Sequence, residues 1–290
     1  MTDSPSPLVP RRRIRGELRR ARQEAGLTQE SVATEMDWSL SKVIRIETGA
    51  VGISTNDLTA LLRLYNITDP RRTRELVSLA KAARQPSWWS GYRDSVPPTF
   101  FQYIEYEASA SIIRQYEPIL IPGLLQTRNY AHAVISRYRR FTASEVETRV
   151  ELRMKRQQLL DQRTPPLLFM IMDEAAIRRL IGEKDLGVEQ LMHIITLMSR
   201  TNITVEIVPF SAGLHSGIGE DFTILEFADE SDSDVMYFES ARDSLFSRDD
   251  AEEASIYREL FEGLRRTSLG PAGSLGLLKR IAGDNSLPGA

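Results

Sequence analysis

The sequence contains no cysteine, only three histidines and no long apolar run. Without cysteine, neither disulfide bonds nor thiolate metal ligands can stabilise the fold, which is typical of a reducing cytosol. No apolar run approaches the ~20 residues that a membrane-spanning helix needs. The first residues, MTDSPSPLVPRRR, are polar and then basic, unlike a secretory signal peptide. We therefore expect a cytoplasmic protein with no membrane partner.

The charge of the 290-residue chain is divided unevenly along its length. Residues 1–94 contain 16 Lys and Arg against 11 Asp and Glu, whereas the remainder contains 21 against 29. A basic module can neutralise phosphates, and an acidic one repels the nucleic-acid backbone. With 41% hydrophobic residues, the length predicts about two domains. The mildly basic first domain is suited to binding nucleic acid, and the acidic second domain is suited to other partners.

The segment from Leu27 to Gly49 has the pattern of two short helices joined by a tight turn. Thr28 can cap the first helix, and Ser39 can cap the second. Between them, Asp37 tolerates the left-handed backbone that a sharp turn needs. Such a helix-turn-helix can place its second helix in the DNA major groove. The predicted inner face consists of Val32, Met36, Trp38, Val43 and Ile46.

This segment resembles the lambda repressor/Cro-like (Xre) helix-turn-helix family. The matching residues are Gln29 at the first helix, the small Ala33 at the helix crossing, and RIETG at residues 45–49, similar to the family's RIE-x-G ending. The resemblance implies that Gln29 binds a phosphate and that Arg22 pairs with Glu47 inside the domain. The alternative is an ordinary helical hairpin. In that case the residues that match the family would occur at the right spacing only by chance.

The outward side of the second helix carries the residues expected to contact DNA. Arginine can form a bidentate contact with guanine, serine can bond bases or phosphates, and leucine can touch a thymine methyl. The arginines ahead of the first helix either follow phosphates or the minor groove, or form a solvated basic face. The predicted DNA-binding residues are Gln29, Ser39, Leu40, Ser41, Lys42, Arg45 and Thr48, together with Arg11, Arg12 and Arg13.

Proline, glycine and capping residues mark the ends of helices and strands, and they divide the chain further. The first ten residues lack periodicity and predict a disordered arm. Helical periodicity with caps then predicts five helices, and strands alternate with helices later in the chain. The predicted segments are a disordered arm at 1–10, an all-α helix-turn-helix domain at 11–84, an aromatic linker at 85–99, and an α+β domain with a small sheet at 100–290.

The predicted linker contains three large aromatic residues, Trp88, Trp89 and Tyr92. A free linker rarely contains so many, because exposed aromatic surface is costly in water. These residues are therefore expected to pack on one or both domains, and stacking on a ligand is the alternative.

Short apolar runs between helical segments predict the sheet of the last domain. A helix is expected from about Phe100 to Tyr116, and another at about Ser247–Arg266. Strands are expected near Leu167–Met172 and 204–208, and a hairpin is expected from Phe222 to Glu239. These segments together predict a sheet of three to five strands.

The linker pattern WW-x-x-Y and three later segments carry a second resemblance. These segments are YEPILIPGLLQTRNYAHAVI (116–135), LLFMIMDEA (167–175) and VEIVPFSAG (205–213). They look like the C-terminal domain of uncharacterised function in actinobacterial, antitoxin-like Xre-family transcriptional regulators. The resemblance implies a small partner protein, encoded nearby, whose binding tunes DNA occupancy.

Catalytic motifs are missing from the sequence. His215 lies in a glycine-rich loop, SAGLHSGIGE, which either lines a ligand pocket or simply connects strands. Neither GxSxG nor GxxxxGK[ST] occurs, and no calcium loop is complete. We expect no enzyme, no cofactor and no metal.

Together these features predict a sequence-specific DNA-binding transcriptional regulator. A homodimer is expected because one helix-turn-helix buries too little surface for high specificity. The C-terminal domain would mediate dimerisation and bind the small partner protein. The alternative is a small-molecule-sensing regulator with a ligand pocket in that domain, for which the residues of interest are Trp88, Trp89, Tyr92 and His215.

Overall fold

The computed structural model forms two compact units, Met1–Ser90 and Gly91–Ala290. Its described residues are 8–47, 51–84, 87–138, 141–182, 184–228, 233–239, 244–248 and 251–286.

The described part of the first unit is a bundle of α-helices, which confirms the predicted all-α fold class. Its buried core includes Leu18, Val32, Leu58 and Leu76. The helices are α1 (Leu8–Glu24), α2 (Gln29–Glu35), α3 (Leu40–Glu47), α4 (Thr55–Leu64) and α5 (Pro70–Ala82).

The start of α1 differs from the predicted disordered arm. The helix begins at Leu8, so residues 8–10 are helical, whereas residues 1–7 lie outside the described part. Pro10 is compatible with this start because the first turn of a helix does not use its backbone N–H groups.

Local capping produces the turn between α2 and α3. The Thr28 hydroxyl accepts a hydrogen bond from the Ser31 N–H at 3.1 Å, and Asp37 has the left-handed φ of 53°. Val32, Val43 and Ile46 are buried, with Met36 and Trp38 packed against them. Gly49, the last residue of the predicted helix-turn-helix segment, lies outside the described part.

The second unit contains a mixed sheet surrounded by helices, which confirms the α+β class. Its described strands number six, beyond the three to five expected, in the order β3-β2-β1-β4-β5-β6. The first three run parallel and the others pair antiparallel. The strands are β1 (Ile112–Glu117), β2 (Leu167–Asp173), β3 (Ile203–Val208), β4 (Phe222–Glu226), β5 (Val235–Glu239) and β6 (Ser244–Arg248).

Helices cover both faces of this sheet. Met236 on β5 packs in a cluster with Phe261, whereas the neighbouring Tyr237 stacks on Tyr103 with ring centres 4.2 Å apart. Successive strand residues point to opposite faces, so these two helix contacts lie on opposite sides. The helices are α6 (Pro98–Glu107), α7 (Arg128–Ser136), α8 (Ala143–Arg156), α9 (Glu174–Arg178), α10 (Lys184–Leu197), α11 (Ala251–Thr267) and α12 (Gly270–Ser286).

One predicted helix in this unit is too long, and another is present but starts later than predicted. The helix expected from Phe100 to Tyr116 ends at Glu107, and Ile112 to Tyr116 belong to β1 instead. The helix expected from about Ser247 instead begins at Ala251, after β6. Strand β1 is stabilised by pairing with the distant β2 and β4, and β6 by pairing with the preceding β5. In both cases strand pairing overrides a local helical pattern.

Candidate nucleic-acid interface

Helix α3 separates its residues into a buried and an exposed side. Val43 and Ile46 lie in the core of the first unit. Four residues on the other side are exposed and follow i, i+1, i+4, i+5 spacing, so they share one surface strip. This recognition strip consists of Leu40, Ser41, Ile44 and Arg45.

Ile44 belongs to the strip but not to the predicted DNA contacts. Its exposed aliphatic side chain lies one helical turn from Leu40, where both can meet thymine methyl groups. The same spacing in the sequence could have identified it. The predicted contact Thr48 lies outside the described residues.

Two further predicted contacts have roles within the fold. The Ser39 hydroxyl accepts a hydrogen bond from the Lys42 N–H at 3.2 Å, capping α3. The Lys42 Nζ lies 3.3 Å from an Asp57 carboxylate oxygen and 3.6 Å from the Trp38 ring centre. Such half-exposed ion pairs contribute little stability, so Lys42 can exchange its carboxylate for a phosphate.

A buried polar network holds α1, α2 and α3 together. The Arg22 guanidinium donates two hydrogen bonds to the Glu47 carboxylate, at 2.7 and 3.0 Å, and a third to the Leu27 carbonyl. Hydrogen bonding to Glu47 raises the pKa of Arg22. Gln29 donates its amide N–H to the same carboxylate at 2.8 Å. The structure thus places Gln29, implied to hold a phosphate, in a hydrogen bond to Glu47.

Arg11, Arg12 and Arg13, which were expected ahead of the first helix, belong to α1, because that helix starts at Leu8. Arg11 donates from Nε to the Ala83 carbonyl at 2.7 Å, and Arg13 pairs with Glu75 at 2.9 Å. Both contacts join α1 to the C-terminal part of this unit and stabilise its fold. The side chain of Arg12 lies outside the described part of the structure.

His215 is buried beneath its loop rather than exposed at a pocket. Its Nδ1 accepts from the Gly217 N–H at 3.2 Å, and its Nε2 lies 3.2 Å from an Asp173 carboxylate oxygen. The first contact requires a lone pair on Nδ1, so the proton is on Nε2 and is donated to Asp173. The Tyr116 ring meets His215 edge to face, and a Cβ at Gly217 would lie 2.6 Å from that ring. His215 therefore anchors the loop.

The loop anchored by His215 presents apolar side chains to solvent. Leu214 is 95% exposed, and Phe210 and Ile218 are also exposed. At the start of the loop, the Phe210 N–H donates a hydrogen bond to the buried Glu174 carboxylate at 2.8 Å. The loop is thus fixed in position while its apolar residues lack cover in the described structure. The apolar loop is defined as Phe210–Ile218.

The three linker aromatics all lie within a 3-10 helix, Trp88–Ser95. Trp89 and Tyr92 are buried and Trp88 is exposed. The rings of Trp88 and Trp89 meet edge to face at 5.4 Å, and Lys155 Nζ lies 5.0 Å from the Tyr92 ring centre. Packing therefore accounts for Trp89 and Tyr92.

Family comparisons agree with this division of the chain. Residues 13–76 match a helix-turn-helix domain, and residues 100–280 match a domain of unknown function, DUF5753. Comparison with curated proteins and with solved structures finds no match. None of the described helices combines the length and apolarity needed to cross a bilayer. The first unit thus carries a DNA-binding fold.

Proposed function

The chain belongs to the DUF5753 family and carries a helix-turn-helix domain ahead of that domain, and from this we propose that it is a sequence-specific transcriptional regulator. The observation that carries the proposal is the recognition strip on α3. In it, Arg45 and Ser41 are neighbours on one helical face, flanked by the aliphatic Leu40 and Ile44. This combination can bond guanine and touch thymine methyl groups in one groove. The lambda repressor/Cro-like resemblance and the antitoxin-like resemblance of the second domain support the same function.

We further propose that the regulator acts as a homodimer on a two-fold operator. Short helix-turn-helix domains achieve specificity by placing two recognition helices about 34 Å apart, one helical turn of DNA. Two copies of the strip would then read two half-sites. A footprint of the full chain should accordingly show two protected half-sites about 10 base pairs apart.

Removing the polar residues of the strip should weaken and broaden DNA recognition. In the variant Arg45→Ala with Ser41→Ala, we expect about 10–100-fold weaker binding to the preferred sequence, since a bidentate base contact is worth about 1–3 kcal/mol. Non-specific binding should change less. The preferred sequence is selected from random DNA with the full chain, and affinities are measured by fluorescence anisotropy at several salt concentrations.

The matched control is Arg74→Ala, which removes an exposed arginine from α5 outside the strip. It should retain the selected sequence preference. Unchanged affinity and selectivity in the Arg45→Ala, Ser41→Ala variant would reject the assignment of the strip.

We also propose that the second unit binds a small partner protein through the apolar loop. The support is the combination of Leu214, 95% exposed, with a loop that is anchored by His215 and by the bond from Phe210 to Glu174. A pre-ordered apolar surface binds with a smaller entropy cost than a mobile one. Nearby, the Arg178 guanidinium donates to Glu174 at 2.7 Å and lies 5.9 Å from the Phe210 ring centre, so it also helps to hold the base of the loop.

The product of a gene adjacent to this one should co-purify with the full chain under native expression. Leu214→Ser should reduce the recovered partner at least about tenfold, because truncating a central anchor costs about 2 kcal/mol or more. Ile256→Ser is the control, since Ile256 is similarly apolar and exposed but lies on α11. Absence of a partner, or equal loss in both variants, would count against this surface.

The sensing alternative places a ligand pocket in the same unit. His215 does not provide it, because its side chain is 5% exposed and its ring nitrogens face Asp173 and the Gly217 N–H. Burial and contacts of Trp89 and Tyr92 also point to packing. If the unit senses a small molecule, the ligand binds elsewhere in it.

A further inference from the structure

The two halves of the apolar loop are held by different contacts. The first half is fixed by the hydrogen bond from the Phe210 N–H to Glu174 and by a turn in which the Gly213 N–H donates to the Phe210 carbonyl at 3.1 Å. In the second half, the Gly217 N–H donates to the His215 Nδ1 at 3.2 Å. This second contact depends on a histidine, the side chain that ordinarily changes charge between about pH 5 and 8.

Protonation of His215 removes the contact with Gly217 and keeps the contact with Asp173. Nδ1 accepts a hydrogen bond through its lone pair, and a protonated imidazole carries a hydrogen on both ring nitrogens. The Nδ1–H and the Gly217 N–H would then face each other as two donors. The Nε2 contact with Asp173, at 3.2 Å, is made in both charge states and is stronger when the ring is charged. His215 therefore stays beside Asp173 while Gly217 loses its acceptor.

Gly217 has no room to move inward and find another partner. Its backbone is buried, and a Cβ on it would lie 2.6 Å from a ring carbon of Tyr116 and 2.9 Å from a methyl carbon of Leu264. The neighbouring Ser216 and Ile218 are exposed. The direction that remains is outward, toward solvent, and such a movement carries Ile218 with it.

The buried Tyr116 hydroxyl favours this outward movement. Tyr116 has no exposed surface, and no group in the described part of the chain forms a hydrogen bond with its hydroxyl. A buried hydroxyl without a partner is unfavourable relative to one in contact with water. Gly217 covers the ring carbon that bears the hydroxyl, because a Cβ on Gly217 would lie 2.8 Å from it. This cost reduces the preference for the closed form, so a single protonation can shift the balance.

Other titratable groups surround His215, but their contacts do not include the Gly217 N–H. Burial and the carboxylates of Asp173 and Glu117 raise the pKa of Tyr116, so its hydroxyl stays neutral near neutral pH. The Asp173 carboxylate also accepts from the Ala175 N–H at 2.7 Å. The remaining charged groups on the neighbouring segments are engaged in the pairs Glu117–Gln115, Glu174–Arg178, Glu220–Tyr257 and Glu262–Arg265.

We propose that His215 is a pH-sensitive switch for the second half of the apolar loop, residues 216–218. Neutral His215 binds Gly217 and keeps Ile218 in the ordered surface. Protonated His215 releases residues 216–218 outward, while residues 210–214 stay in place. The consequence for the partner rests on the proposed function of this loop: binding is weaker at lower pH, because part of the surface must be ordered again.

The state of His215 is tested first, by NMR of the full chain with isotope-labelled histidine. The chain contains three histidines, and the signal that is missing in His215→Asn belongs to His215. At about pH 8 the ring should be the Nε2–H tautomer, because Nδ1 accepts from Gly217. An Nδ1–H tautomer, or a ring that stays neutral down to about pH 5, would overturn the proposal.

Hydrogen exchange of single amides at about pH 7.5 and 5.5 locates the movement. After correction for the intrinsic exchange rate at each pH, protection of the Gly217 amide should fall about 3–10-fold at the lower pH, the usual contribution of one hydrogen bond. Protection of the Gly213 amide should not change, since its acceptor is the Phe210 carbonyl. Equal loss at both amides, or loss at neither, would contradict the switch.

Two substitutions that do not titrate near neutral pH separate the contacts of His215. The side chain in His215→Asn places an oxygen near the position of Nδ1, so Gly217 should stay protected at both pH values. The side chain in His215→Gln places an N–H donor near the position of Nε2, so it can reach Asp173, and Gly217 should be less protected at both. His193→Gln, which changes a histidine on α10, is the control and should retain the pH dependence.

A pH dependence that persists in His215→Asn would assign it to another group and reject the switch. Circular dichroism of each variant establishes that the fold is intact. If a variant does not fold, the tautomer and the exchange of the unmodified chain still decide the question.

Partner binding is measured separately, with the purified product of the adjacent gene. Affinity for the unmodified chain should be about 3–10-fold lower at about pH 5.5 than at 7.5, and it should be equal at both for His215→Asn. Loss of Gly217 protection without any partner binding would retain the switch and reject the proposed partner function. Partner affinity that is equal at both pH values, despite that loss, would reject the consequence for the partner.

Discussion

Replacing Glu107 with alanine should lower the free energy of unfolding of the second unit by about 3–5 kcal/mol. The side chains of Glu107 and Arg156 are 2% and 6% exposed, and two hydrogen bonds of 2.6 and 2.7 Å join them. The substitution would leave a buried guanidinium without its counter-charge, and it would also remove the acceptor of the Tyr103 hydroxyl. Hydrogen–deuterium exchange of peptides from α8 and β1 in the full chain measures this loss of stability, which should appear as faster exchange.

Two matched variants separate the charge effect from lost packing. The double replacement Glu107→Leu with Arg156→Met should recover most of the stability, because apolar residues of similar volume often replace a buried ion pair without loss. Arg200→Gln breaks an exposed pair with Asp161 and should cost less than about 1 kcal/mol. A Glu107→Ala effect as small as that of Arg200→Gln would contradict the account.

The second large effect is expected in the DNA-binding unit, for Glu47→Ala. Glu47 accepts hydrogen bonds from Arg22 and Gln29, and the side chains of Arg22 and Glu47 are 12% and 5% exposed. Its removal should lower stability by about 3 kcal/mol, since a largely buried charge is left without its partner. Urea unfolding followed by tryptophan fluorescence measures this, because Trp38 packs against the core of this unit.

Comparison with Arg45→Ala distinguishes a scaffold role from a DNA contact. Glu47→Ala should lower stability and DNA affinity together, whereas Arg45→Ala should lower affinity and leave unfolding unchanged. Arg13→Ala, which removes a half-exposed pair with Glu75, should alter stability by less than about 1 kcal/mol. If Glu47→Ala weakened DNA binding without altering unfolding, Glu47 would belong to the interface instead.

The helix-turn-helix could be predicted because its determinants are close in sequence. Thr28 caps α2 three residues from its partner, Asp37 adopts the left-handed turn by itself, and Ser39 caps α3. Each of these contacts spans a single turn of chain, so the order of residues is sufficient to place it. The exposed side of α3, including Ile44, follows from the same periodicity.

Strand β1 could not be predicted in this way. Ile112 to Glu117 fits the end of a helix as well as a strand, and its partners begin only at Leu167 and Phe222. The position of Arg13 is a similar case, because its carboxylate partner Glu75 belongs to the other end of the unit. Such pairings depend on loop closure over long stretches of chain, which local patterns do not describe.

The sequence by itself determined the helix-turn-helix, the α+β class of the second domain and the division of charge between them, because each depends on local periodicity or composition. Only the tertiary structure decided that His215 is an anchor beneath an apolar loop. It also brought the arginines of α8, the aromatic rings of Phe100 and Tyr103 on α6, and the carboxylates of Glu117 and Asp221 around one cleft of about 410 Å³ in the second unit. The physical reason is that such contacts between distant segments form only after non-local strand pairing has closed the sheet.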